Sequence, residues 1–182
     1  MNNPVTVSFL PTKEDYINFK IAAVKAAGNK KAEMAFRIIG YCLVLAGFAL
    51  GIFASGGALQ HAVYVVMIAC GLILALYRDL LFPVMVRLQA ASYFDNNRER
   101  MTASTFGFTG DAITLQTDRY HAEIPWELLY RVYEDGRTFV FYTGEGELHP
   151  LPKRAISLEE NEQIELLLRQ KMMEKYDREG VR

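Results

Sequence analysis

Apolar positions recur with period two at the start of the chain, then at helical spacing. They crowd into one run free of Asp, Glu, Lys and Arg between residues 38 and 77 and return to period two beyond residue 100. Over Pro4–Leu10, Val5, Val7 and Phe9 fall on one face and Thr6 and Ser8 on the other, which predicts a half-buried strand. A strand this short has no independent stability and must join a sheet formed elsewhere in the chain. Thr12 then offers an N-cap, with Glu14 and Asp15 in the first turn, and a helix is predicted from Lys13 to about Ala27. It carries Tyr16, Phe19, Ala23 and Ala27 along one side, with Ile17, Ile21 and Val24 beside them and Lys20 and Lys25 facing away. Two readings stay open: an interfacial helix whose lysines meet anionic headgroups, or a helix packed on its own domain.

The central run, Ile38–Tyr77, contains no Asp, Glu, Lys or Arg in forty residues. A bilayer core of about 30 Å takes roughly 20 apolar residues per helix. The run therefore predicts a transmembrane hairpin, with spans over about 38–53 and 62–77, the second extending as far as 82. The turn between them, Ala54–His61, holds Ser55, Gly56 and Gly57. Gly47 and Gly51 in the first span and Gly71 and Ala75 in the second let helix backbones approach closely, either within the hairpin or between two copies. Beyond the second span, Leu81, Val84, Met85 and Leu88 mark a short juxtamembrane helix. Pro83 should break the continuation of the span, and Asp95–Arg100 reads as a polar linker.

From Met101 the reading is an antiparallel meander. Strands are expected over Thr102–Thr109, Ala112–Thr117 and Tyr120–Pro125, then Tyr130–Glu134 and Thr138–Tyr142 about the turn Asp135-Gly136-Arg137, then Glu147–Leu151. Pro150 and Pro152 put the last of these at a sheet edge. Ser157 and Glu160 form a capping box for a helix from Leu158 to about Tyr176, whose stripe of Ile164, Leu167, Leu168 and Met172 needs a sheet to cover.

Charge adds an orientation. Residues 1–100 carry ten Lys/Arg against six Asp/Glu, and residues 101–182 ten against fifteen. Five Lys/Arg lie between Lys20 and Arg37, three between Arg78 and Arg98, and none in the turn, so both termini are expected in the cytoplasm. The 37 residues that precede the apolar run, many of them polar or charged, argue against a cleaved leader. The resulting division is a cytoplasmic strand and amphipathic helix (1–37), a transmembrane hairpin (38–82), a juxtamembrane helix and linker (83–100), and a cytoplasmic domain (101–182).

Little in the chain points to a reaction. Cys42 and Cys70 both lie in the apolar run, and no zinc spacing, phosphate loop or Ser-His-Asp set is present. Neither a cofactor nor a metal is expected, nor nucleic acid, since basic and aromatic residues do not interleave densely enough. His121 with Asp118 and Glu123 lacks a third ligand or a nucleophile, and His61 and His149 stand apart from it. Trp126, the single tryptophan, reads as a core anchor. Lys153 and Arg154, just before the helix opened by Ser157, could grip a phosphate together with Arg131, yet Glu159, Glu160, Glu162 and Glu165 follow at once.

An antiparallel sheet closed by a C-terminal helix has the outline of a pleckstrin-homology-like domain, a bent sheet or barrel, and Val5–Phe9 could supply its missing strand. An N-terminal segment with Tyr16 and Phe19, two adjoining spans, Ile124-Pro125-Trp126, Val132, Glu134, a hairpin, and Pro152-Lys153-Arg154 before a terminal helix together resemble the YcxB-like bacterial membrane proteins. Ile156, where an aromatic is expected, and His149-Pro150 depart from that pattern. The resemblance implies an α+β membrane protein of the bacterial inner membrane, with a two-span anchor and a pleckstrin-homology-like cytoplasmic domain, and brings no reaction with it. The expected role is a non-enzymatic scaffold or sensor that binds another protein or its own copies at the bilayer. The alternative is a lipid-headgroup or small-ligand sensor using Lys153 and Arg154.

Overall fold

The computed structural model describes residues 5–53, 57–118, 120–144 and 146–180. Pro4 of the predicted first strand and Ala54, Ser55 and Gly56 of the predicted turn lie outside the described residues. The chain forms two compact units, one from Met1–Ala26 together with Arg87–Arg182, the other from Ala27–Val86.

The Ala27–Val86 unit is a helical hairpin. Helix α1 (Lys13–Ala27) ends at its border, and Asn29 caps the next helix, its side-chain oxygen accepting from the Lys31 and Ala32 N–H groups at 3.1 and 3.3 Å. Helix α2 (Lys30–Phe53) and helix α3 (Ala58–Leu76) are both long and apolar enough to cross a membrane. The glycines explain their close approach. A Cβ on Gly40 would lie 2.7 Å from the Ala75 nitrogen, and one on Gly71 2.7 Å from the Gly40 oxygen. At Gly47 it would meet the Ile68 side chain at 2.7 Å, whereas at Gly51 the nearest atom, on the Tyr64 ring, is 3.9 Å away. Gly40, Gly47, Gly71 and the buried Ala75 therefore pack within the hairpin, whereas Gly51 has space.

The end of α3 departs from expectation. No break occurs; the helix widens into a π turn over Tyr77–Leu81, in which the Phe82 N–H donates to the Tyr77 carbonyl, and continues as α4 (Phe82–Asn96). Pro83 falls in the first turn after the wide segment, where a missing N–H costs little. The predicted polar linker thus begins later, since Asp95 and Asn96 still belong to α4 and a 3-10 turn at Arg98–Arg100 follows. The π turn also presents charges to α2: Arg37 Nη2 lies 2.5 Å from Asp79 Oδ1, and Arg78 pairs with Glu33.

In the other unit β1 (Val5–Phe9) pairs antiparallel with β2 (Ser104–Phe108), from Val5 opposite Phe108 to Phe9 opposite Ser104. β3 (Ala112–Thr117) and β4 (Tyr120–Pro125) complete a four-stranded sheet in the order β1-β2-β3-β4. The second sheet has the order β7-β6-β5-β8, from β5 (Arg131–Glu134), β6 (Thr138–Tyr142), β7 (Leu148–Pro152) and β8 (Tyr176–Arg178). The proline-bearing β7 does stand at an edge. The two sheets do not close into a barrel: Pro125 and the 3-10 turn Trp126–Leu128 interrupt the ladder between β4 and β5.

The sequence overstates the length of the last helix. α5 (Leu158–Met172) stops where Met173 takes a positive φ of 43°, and the chain returns as β8, parallel to β5. The capping box of Ser157 and Glu160 forms as expected. One core joins the inner faces of both sheets to α5, through Val5, Val7, Phe9, Phe106, Phe108, Phe139, Phe141, Ile164 and Leu168 among others. The opposite face of the second sheet is covered by α1, whose Phe19 and Ala22 pack on Tyr133, Val140 and Tyr142. Every residue of β6 is consequently buried. Of the two readings of α1, the helix packed on its own domain is the one observed, and the Tyr16 ring stacks on Tyr93 of α4 at a centroid distance of 5.4 Å.

Candidate functional site

The predicted cations Lys153 and Arg154 sit in a 3-10 turn, Lys153–Ala155, directly after Pro152 ends β7. The turn is held against the β5–β6 hairpin, the Lys153 N–H donating to the Arg137 carbonyl at 2.9 Å. That hairpin is shaped by Asp135, whose Oδ1 accepts from the Arg137 and Thr138 N–H groups, both at 2.8 Å. Geometry here brings two cations to the rim of the second sheet, pointing to different partners.

Lys153 turns inward. Its ammonium pairs with Glu134 of β5, a carboxylate only 1% exposed, and lies 4.7 Å from the centre of the Phe139 ring. The other Glu134 oxygen accepts from the Tyr176 hydroxyl of β8, and Arg178 Nε stands 3.6 Å from Oε1. Arg178 also donates to Glu165 Oε2 at 2.7 Å, while the other Glu165 oxygen accepts from Asn161 Nδ2 at 2.8 Å. A connected charge network thus links the β7 turn, β5, β8 and α5. Burial, reinforced by the hydrogen bond to Glu134, pushes the Tyr176 phenol well above its ordinary range, so it stays a donor.

Arg154 turns toward the N-terminal segment. Its guanidinium spans both carboxylate oxygens of Asp15 in α1 and donates to the Leu10 carbonyl at 3.1 Å. Asp15 in turn accepts from the Thr12 N–H and hydroxyl, each at 2.7 Å, closing the N-cap of α1. Burial acts to raise the Asp15 pKa, but the hydrogen bonds from Arg154 and Thr12 outweigh it and hold the carboxyl below its ordinary value. The same hydrogen bond raises Arg154 above the usual guanidinium value despite desolvation.

Arg131, the third candidate, is apart from this pair. Its guanidinium lies over the Tyr142 ring at 4.5 Å, so the structure does not assemble Lys153, Arg154 and Arg131 into one pocket of free charge. Trp126 is 2% exposed, and its indole N–H donates to the Thr109 carbonyl at 3.1 Å, the geometry of a core anchor. Pro152 is buried at the end of β7.

Sequence reasoning missed the anions that neutralise the candidate cations, Glu134 beside Lys153 and Asp15 beside Arg154, and it missed Glu165, which pairs with Arg178. One signal was available for Glu134, a carboxylate that directly follows Val132 and Tyr133 in its strand, where a buried ion is retained only with a partner. His149 stacks on Tyr120 at 6.1 Å and lies 3.2 Å from the Thr143 hydroxyl, which also meets Glu147 Oε2 at 3.0 Å. Burial lowers the His149 pKa below its ordinary value. Among the described residues no three His, Cys, Asp or Glu side chains gather closely enough to hold a metal ion.

A family model described as YcxB-like protein matches residues 108–168, the stretch from the end of β2 through most of α5. It contains Glu134, Lys153 and Arg154, while their partners Asp15, Tyr176 and Arg178 lie outside it. No curated protein matches the sequence.

Proposed function

Taking residues 108–168 as a YcxB-like segment, we propose that the chain is a membrane-anchored, non-enzymatic scaffold or sensor. The hairpin α2–α3 is its two-span anchor in the bacterial cytoplasmic membrane, and both termini are cytoplasmic. Supporting the topology are the two long apolar helices and the distribution of Lys and Arg on either side of them. The unit of β-strands and α5 is a pleckstrin-homology-like module. Support comes from its four-stranded meander, its three further antiparallel strands and the amphipathic helix that follows.

The observation that carries this reading is the internal pairing of the rim cations, Lys153 with Glu134 and Arg154 with Asp15. Charge already neutralised inside the fold favours a module that meets a protein over one that grips an anion. Purification of the full chain in mild detergent after in-cell crosslinking tests it. Recurrent recovery with a defined protein partner or a second copy is expected; recovery only as a lone monomer removes the reading.

One observation favours the headgroup alternative: the Arg154 side chain remains 50% exposed. Under that alternative, charge reversal at Lys153 and Arg154 weakens binding of the reconstituted chain to soluble anionic headgroups, most at low salt. Binding indifferent to both charge and salt leaves the scaffold reading in place.

A further inference from the structure

β4 is the open edge of the first sheet, and four of its six residues are exposed, more than in any other described strand. Its backbone polarity follows from the turn before it. The Thr109 N–H donates to the Ala112 carbonyl at 3.0 Å, so Ala112, Thr114 and Gln116 direct their backbone groups toward β2, and Ile113, Leu115 and Thr117 theirs toward β4. The residues opposite these three are Ile124, Ala122 and Tyr120. His121 and Glu123 are left with N–H and C=O groups pointing away from the sheet.

Those two side chains are both exposed, lie on the outer face, and among the described residues have no hydrogen-bond or ion-pair partner. β4 carries no lysine and no inward charge, the usual guards of an open edge, and its proline comes only at the final residue. β7, an edge of the other sheet, is by contrast blocked by Pro150 and Pro152, which lack N–H groups.

We propose that β4 pairs antiparallel with β4 of a second copy, about a two-fold axis through Ala122, so that two first sheets become one. In that register His121 faces Glu123 of the second copy, and Glu123 faces its His121. Both are outward-bonding positions, as a hydrogen-bonded pair requires, and an imidazole in either protonation state donates an N–H to a carboxylate. At the axis Ala122 meets Ala122, a non-hydrogen-bonded pair in which the closest approach falls to small side chains. The complementarity of the strand with its own reversed sequence is what selects a second copy as the occupant. This rests on the self-association arm of the proposed function and gives it a surface.

The test uses the full chain in membranes, with Cys42→Ala and Cys70→Ala as background. Opposed Cα atoms of a non-hydrogen-bonded pair lie about 4.5 Å apart, within disulfide range. Ala122→Cys is therefore expected to give a covalent dimer on mild oxidation, at least tenfold more than Gln116→Cys one strand inward. Differently tagged chains carrying His121→Cys and Glu123→Cys, when co-expressed, should link to each other; both positions are exposed, so this readout does not depend on packing at Ala122. His121→Glu should cut the Ala122→Cys dimer about tenfold, and adding Glu123→His should restore it. A dimer on native electrophoresis with neither crosslink overturns the β4 edge and leaves self-association standing. A monomer with neither crosslink overturns both.

Discussion

Replacing Lys153 by Met separates a clamp from a ligand-binding cation. Methionine keeps an apolar stem against Phe139 but leaves Glu134 without its nearest counter-charge. Removing one partner of a fully buried ion pair costs about 3–5 kcal/mol. Here the Lys153 side chain keeps 19% exposure, and Arg178 Nε, at 3.6 Å, remains to share the charge. The expected loss is therefore nearer 2–3 kcal/mol, or roughly 5–10 °C in Tm. Glu134→Gln should cost a similar amount, and the two together less than their sum, with a coupling of about 1–2 kcal/mol. The assay is built into the chain, because Trp126 is its single tryptophan and is buried in the core that includes Phe139. Its fluorescence during thermal or denaturant unfolding of the detergent-solubilised chain reports each variant. An unchanged transition for Lys153→Met, or strict additivity in the cycle, would falsify the clamp and return Lys153 to the candidates for ligand binding.

Gly71→Ala should loosen the hairpin, because its Cβ would meet the Gly40 oxygen at 2.7 Å, whereas Gly51→Ala should leave it intact; crosslinking between cysteines placed on α2 and α3 reads the difference. Asp15 has its folded-state pKa below the ordinary 3.8, so its stabilisation is present above that value and is lost as pH falls through the folded pKa. Asp15→Asn should flatten this acid limb of Tm against pH, and an unaltered limb would sink the assignment. For His149 the folded pKa lies below the ordinary 6.5, so the unfolded chain binds the proton more readily and stability falls as pH drops below that value. His149→Gln should remove this dependence, measured by the same Trp126 transition between pH 7 and pH 5.

Local chemistry was legible wherever partners are close in sequence. The uncharged run yields α2 and α3, the Ser157–Glu160 spacing yields the start of α5, and the Val5, Val7, Phe9 alternation yields β1 with its buried face. Long-range terms were not. Arg154 meets Asp15 across 139 residues, and no pattern in either neighbourhood announces the other. β8 is three residues long and exists through its pairing with β5 and the Tyr176–Glu134 hydrogen bond, so periodicity has nothing to register. The end of α5 was missed because Met173, not a glycine or asparagine, takes the positive φ.

The β1–β2 pairing sets a schedule for biosynthesis. Ser8 and Thr105, which share a 2.8 Å hydrogen bond, are 97 residues apart. At about 5–20 residues per second, ribosomes leave β1 without its neighbour for roughly 5–20 s while α2 and α3 are being made. Throughout that interval Val5, Val7 and Phe9 form an unpaired apolar strand. Nascent chains should accordingly engage a holding chaperone or the ribosome surface through this segment, and release it once β2 emerges.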